Sequence, residues 1–142
     1  MISLLGLLGL LLVGGFIASQ VRCAGPFPRD DAHAFEIAHT TLPADATQIQ
    51  YEGSQGIDWL LLLEFQQPSM ERSRAWVEAE LGCSPDAVDL RFGDGGGSPE
   101  WWGDPRPGGI GCTVREPPGF DLKVRIDALE SGRSRVQISV VD

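Results

Sequence analysis

Positive charge is scarce in this chain. Eleven Lys and Arg stand against twenty Asp and Glu, giving a formal net charge of −9, and Lys123 is the sole lysine. Nucleic-acid binding needs a basic footprint over the phosphates, so that class of partner is excluded. The acidic residues are scattered from Asp30 to Asp142 without a run, which reads as a solvated surface rather than an acidic tail. Metal motifs are missing as well. There is no Cys-x-x-Cys and no His-Glu-x-x-His, so no metal centre and no cofactor is expected. His33 and His39 do not share a helical face and read as surface histidines. Gly93-Asp94-Gly95-Gly96-Gly97 lacks the lysine and the strand-to-helix setting of a phosphate loop. Asp94 and Asp104 match the spacing of no calcium cradle.

A second absence is local. Residues 2–21 contain no charged side chain, and as a helix they would span roughly 30 Å, the hydrocarbon thickness of a bilayer. We read residues 1–22 as a retained transmembrane anchor. No Lys or Arg precedes the apolar run, and Ala18-Ser19-Gln20 puts glutamine where a cleavage site needs a small residue. Cleavage, or acylation at Cys23, are the alternatives; Arg22 stands where a lipoprotein signal carries a small residue. The expected partner of residues 2–21 is therefore the membrane. Arg22 and Arg29 after the run would by themselves keep the body in the cytoplasm. The cysteines argue the other way.

What is present gives a fold. Residues 23–42 form a linker and lead-in, stiffened by Pro26 and Pro28, with a turn or two of helix within Ala32–Thr40 that points Phe35 and Ala38 inward. Residues 43–142 make one α+β domain. Thr47, Ile49 and Tyr51 alternate with polar residues, and the apolar run Asp58–Phe65 reads as the central strand of a small sheet. A loop of Ser54-Gln55-Gly56 would pair Tyr51 with Trp59, Ile49 with Leu61 and Thr47 with Leu63. A helix is predicted over 68–81, started by Pro68 or Ser69 and stopped by Gly82, with Met70, Trp76 or Val77, and Leu81 on its inner stripe. Val88, Leu90 and Phe92 suggest a short strand.

The last hairpin is predicted over 121–141. A Glu130-Ser131-Gly132 loop pairs Ile126 with Val136, Val124 with Ile138 and Leu122 with Val140, and sets Asp127 opposite Arg135. Lys123, Arg125, Arg133 and Arg135 then form a solvated basic strip on its outer side. The expected architecture is an antiparallel sheet of two hairpins, 47–65 and 121–141, with one helix on one face and a transmembrane helix in front.

Residues 93–118 read as a long irregular loop, rich in glycine and proline. Such loops are functional or disordered, and Trp101-Trp102 argues against disorder. The candidate binding residues are Trp101, Trp102 and Asp104. The tryptophans either stack on a sugar, a peptide or a membrane surface, or fold back over Leu60 and Leu62. Cys83 and Cys112 form a candidate disulfide, given an oxidising compartment. Cys23 is then left for acylation or an intermolecular bond.

Leu42-Pro43 ahead of Thr47 and Ile49, the Gly56-Ile57-Asp58 turn, Phe65 before a proline-started helix, a Trp-Pro loop and a terminal hairpin together resemble small bacterial envelope-attached proteins, lipoprotein-like or single-span. The resemblance covers about residues 41–142. It implies a location and a compact α+β domain, and no catalytic residues. The leading expectation is a non-enzymatic, membrane-tethered extracytoplasmic domain that binds or supports an envelope protein or glycan. The alternative is a small glycan-active enzyme using Asp94, Glu100 and Asp104 with the tryptophan loop.

Overall fold

The computed structural model describes residues 27–55, 58–87, 99–115 and 121–141. The apolar run 2–21, Cys23, Asp94 and the strand expected around Val88–Phe92 lie outside them. Among the described residues no helix is long and apolar enough to cross a membrane.

Helix α1 (Asp31–Ile37) begins where the Asp30 carboxylate accepts a hydrogen bond from the His33 amide at 2.8 Å. It buries Ala34, Phe35 and Ile37, with Ala38 just beyond its end. Strands β1 (Thr47–Gln55) and β2 (Trp59–Gln67) form the first hairpin, and helix α2 (Met70–Leu81) follows. The Ser69 hydroxyl caps α2 by accepting from the Arg72 amide, and Gly82 ends it in the left-handed conformation at φ 66. Strands β3 (Ile110–Val114), β4 (Asp121–Ala128) and β5 (Ser134–Val141) complete a five-stranded antiparallel sheet of order β1-β2-β5-β4-β3. The expected α+β class therefore holds, with a larger sheet and an additional helix.

The second hairpin has the predicted register. Ile126 faces Val136, Val124 faces Ile138, Leu122 faces Val140 and Asp127 faces Arg135. Gly132 takes φ 81 at the third loop position, inside the bond from the Leu129 amide to the Arg133 carbonyl. The first hairpin differs. Tyr51 lies opposite Leu63, and Gln55 opposite Trp59, so the strands run further toward the turn than the sequence suggested. The partner of Tyr51 moves by four positions, an even shift that leaves Tyr51, Trp59, Leu61 and Leu63 on one face, as expected. Alternation alone cannot separate two such registers. Gly53 becomes a strand residue, and Phe27 and Pro28 pack over it, 3.4 Å from where a Cβ would stand.

A bulge between Thr47 and Gln50, with Gln48 at φ 51, turns Thr47 away from the face of Ile49 and Tyr51. Thr47 then receives a hydrogen bond from Arg133. The middle strand is β5 rather than β2. β5 is buried along nearly its whole length, and β2 lies between it and the edge strand β1.

One face of the sheet carries the apolar core. Leu61, Leu63, Phe65, Leu122, Val124, Ile126, Val136, Ile138 and Val140 meet Phe35 of α1 and Val77 of α2 there. Phe35, Phe65 and Trp76 pack with tilted or edge-on rings, 5.2 to 6.3 Å between centroids. The buried hydroxyls of Ser73 and Ser134 share a hydrogen bond of 2.7 Å across the helix–sheet interface, and Ser73 also donates to Gln67.

Candidate functional site

The opposite face of the sheet alternates with the core face and is polar: Glu64 on β2, Arg125 and Asp127 on β4, Arg135 and Gln137 on β5. A solvated strip was expected here. Instead Arg125, Asp127, Arg135 and Gln137 are buried, Asp127 completely. The cover is the segment 99–109, part of the irregular loop. Its first turn closes through a bond from the Trp102 amide to the Pro99 carbonyl, and its last through a bond from the Gly109 amide to the Arg106 carbonyl.

Four hydrogen bonds strap this segment to the sheet. Gln137 Nε2 donates to the Gly103 carbonyl at 2.9 Å, and Arg135 to the Asp104 carbonyl at 2.6 Å. Arg125 donates to the Arg106 carbonyl at 2.7 Å, while the Arg106 amide donates to Asp127 Oδ1 at 3.3 Å. The two guanidinium groups share one counter-charge beneath the strap. Asp127 accepts from Arg125 Nε at 2.9 Å on one oxygen and from Arg135 at 2.7 Å on the other. A carboxylate between two guanidinium groups satisfies charges that burial would otherwise make very costly.

Glycine lets the strap approach the sheet closely at two positions, Gly103 and Gly109. A Cβ on Gly103 would collide with the Arg135 guanidinium, and one on Gly109 with the Asp127 carboxylate. Glu64 sits beside this cluster and accepts from Gln137 Nε2 at 2.9 Å. Burial pushes its carboxyl above the usual range, against the opposing pull of Gln137 and the Arg135 charge.

The candidate binding residues ride on the strap. Trp101 and Trp102 are half-buried and meet edge to face, 5.7 Å between centroids. Asp104 contributes its carbonyl to Arg135, and the residue itself is exposed, as is Glu100. The buried carboxylate of this face is Asp127, which the sequence offered only as half of a surface pair. Its partner across the strands was legible; its burial was not, because the cover comes from a distant loop.

Cys83 and Cys112 are bonded, with their Cα atoms 6.1 Å apart. Cys112 lies on β3, a strand inside the stretch expected to be irregular. Gly111, its second residue, hid the alternation of Ile110, Cys112 and Val114. Beside the disulfide, Asp86 and Gly111 exchange two backbone hydrogen bonds of 2.8 and 3.0 Å, and Arg74 donates to the Pro85 carbonyl at 2.9 Å. The outer edge of β3 is thereby fastened to the end of α2. Among the described residues no cluster of His, Cys, Asp or Glu is arranged to hold a metal ion.

Compared with models of protein families, with curated proteins and with solved structures, the chain matches none.

Proposed function

We propose that this chain is a membrane-tethered, extracytoplasmic domain that works without catalysis, as a binding or structural component of the cell envelope. The Cys83–Cys112 bond is the observation that carries the reading. Structural disulfides persist in oxidising compartments and are rare in a reducing cytosol. The uncharged run 2–21 supplies a tether of bilayer length. The strap supplies a surface for the partner: Trp101 and Trp102, with Asp104 beside them, sit on a segment pinned by four hydrogen bonds at Gly103, Asp104 and Arg106. Pinning lowers the ordering cost that a free loop would incur on binding a protein or glycan. The buried charges beneath support the non-catalytic reading, since Asp127 is engaged on both oxygens in holding the strap.

The test is a topology reporter fused after Asp142, combined with thiol labelling of the same membranes. The reporter is expected to be active only outside the cytoplasm. Cys83 and Cys112 are expected to react with a maleimide only after reduction and unfolding. A cytoplasmic reporter, or labelling of both cysteines in unfolded but unreduced protein, would overturn the proposal.

A further inference from the structure

The strap contains the chain's single Asp-Pro bond, within Gly103-Asp104-Pro105-Arg106. Bonds of this type are among the most acid-labile peptide links. The aspartate carboxyl can close onto its own main-chain carbonyl carbon as a nucleophile. The proline nitrogen carries no hydrogen in the chain, and it leaves readily as an amine once protonated.

The fold adds to that intrinsic chemistry. Arg135 Nη2 donates to the Asp104 carbonyl oxygen at 2.6 Å, the atom on which negative charge develops when the carbon is attacked. Positive charge is in excess at this point, because Arg125 and Arg135 are both buried and share the single carboxylate of Asp127. Glu64, the other carboxylate near Arg135, is pushed by burial toward its neutral form. The flanks of the bond are held as well. Gln137 donates to the Gly103 carbonyl at 2.9 Å, the Arg106 amide donates to Asp127 at 3.3 Å, and the Arg106 carbonyl accepts from Arg125 at 2.7 Å. Asp104 and Pro105 themselves are exposed, so water reaches the bond that these contacts fix in place.

We propose that Asp104–Pro105 is a self-cleavage site, at which the folded domain cuts its own chain and keeps both pieces. The protonated side-chain carboxyl of Asp104 attacks its main-chain carbonyl carbon, and Arg135 stabilises the oxyanion. The new C–O bond closes a succinic anhydride, the C–N bond breaks, and the proton goes to the Pro105 nitrogen. Water then opens the anhydride, leaving two carboxyl groups on Asp104 and a secondary amine on Pro105. Cys83 lies on one fragment and Cys112 on the other, so the disulfide keeps them joined, as does the pairing of β2 with β5. The new main-chain carboxylate at Asp104 forms beside Arg135 and supplies the second counter-charge that the buried guanidinium groups lack. The cut is one intramolecular event without turnover. It therefore stands beside the non-catalytic reading, and it holds whichever compartment the domain occupies.

The test incubates the full chain in detergent micelles at about pH 5, once folded and once in concentrated urea with the disulfide intact. Products are followed by gels with and without reductant, by mass spectrometry and by N-terminal sequencing. The folded chain is expected to be cut at least about tenfold faster than the unfolded one. The fragment beginning at Pro105 should separate only after reduction. Asp104→Glu, whose ring closure is slower, and Pro105→Ala, which removes the labile amide, should each suppress the cut. Arg135→Lys keeps a cation for Asp127 and loses the planar fork, so it should bring the rate down toward that in urea. Equal rates in the folded and unfolded chain would mean ordinary acid lability only and would overturn the proposal. A folded chain that stays whole, or an Arg135→Lys variant cut as fast as its parent, would overturn it too.

Discussion

Along β5 the even-numbered residues Val136, Ile138 and Val140 face two helices, while the odd-numbered Arg135 and Gln137 face a strap with no regular secondary structure. Both sets are buried. On the helix side burial is favourable in itself, since apolar area leaves water. On the strap side it is tolerable only because each side chain finds at least one fixed partner, several of them strap carbonyls, with Arg135 Nε and Gln137 Oε1 left unmatched among the described residues. The apolar face can therefore lose a methyl group and relax. The polar face fails in larger steps, because losing one member strands the others.

The largest expected effect follows from that difference. Asp127→Ala leaves Arg125 and Arg135 buried without a counter-charge and should lower stability by about 3 to 5 kcal/mol, read as a lower urea midpoint. Phe65→Ala on the other face should cost about as much through its cavity. The two are told apart by compensation. Replacing Arg125, Asp127 and Arg135 together with Met, Leu and Met should recover much of the stability lost in Asp127→Ala. It should not restore the strap, whose Gly109 and Trp102 amides would exchange hydrogen faster than in the parent. If Asp127→Ala costs less than about 1 kcal/mol, the outer face is a surface after all.

Next in size is the disulfide. Cys83 and Cys112 are 29 residues apart in sequence, so the chain-entropy estimate is roughly 3.5 kcal/mol. Cys83→Ser with Cys112→Ser should lower the unfolding midpoint accordingly. It should loosen β3 more than β5, as hydrogen exchange at Gly111 against Ile138 would show. Equal loosening of both strands would mean that the bond stabilises the sheet as a whole rather than its edge.

These two regions were not equally legible in the sequence. The helix at Met70–Leu81, the inward Phe35 and Ala38, and the register of β4 with β5 follow from local periodicity and from glycine at a position that needs a positive φ. The first hairpin was read with the wrong partners throughout and the wrong face for Thr47, because an even slip leaves the alternation intact and the bulge at Gln48 has no strong residue signature. The strap was the least legible part. Nothing local to Arg125 or Arg135 says that a segment some twenty to thirty residues earlier will bury them. The signal that existed was Gly103 and Gly109 bracketing the strap, and it becomes informative only once the arginines are known to lie beneath. The pairing of Cys83 with Cys112 was available as a candidate; β3, which carries Cys112, was not.

A smaller effect tests the closeness of that approach. Gly103→Ala places a methyl group where the Arg135 guanidinium now sits, so either the strap lifts or Arg135 moves away from Asp104. Overpacking of this kind costs about 1 to 3 kcal/mol. Here it should appear as changed emission of Trp101 and Trp102 in a Trp59→Phe, Trp76→Phe background, with little change in far-ultraviolet circular dichroism. An equivalent alanine at Gly82, which has no neighbour within 4 Å but a φ of 66, should destabilise α2 without altering that emission.

The smallest effect is one of sign rather than size, and it probes the boundary between the two chemistries. Glu64 is held by Gln137 and lies near both Arg135 and Asp127. Burial is nevertheless the largest influence on it and raises its pKa in the folded state. A carboxyl that binds its proton more tightly when folded makes the protein more stable below the ordinary carboxylate range. That contribution declines as pH rises through the elevated folded value, and the penalty is complete above it. Glu64→Gln keeps an acceptor for Gln137 and removes the charge, so it should be more stable than the parent at about pH 8 and lose that advantage toward about pH 4, where Glu64 is increasingly protonated. Urea unfolding of both proteins across this range gives the slope directly. A variant less stable than its parent at neutral pH would show that the attraction to Arg135 outweighs desolvation. Glu64 would then join Asp127 as a counter-charge of the strap rather than marking where the polar face begins to exclude water.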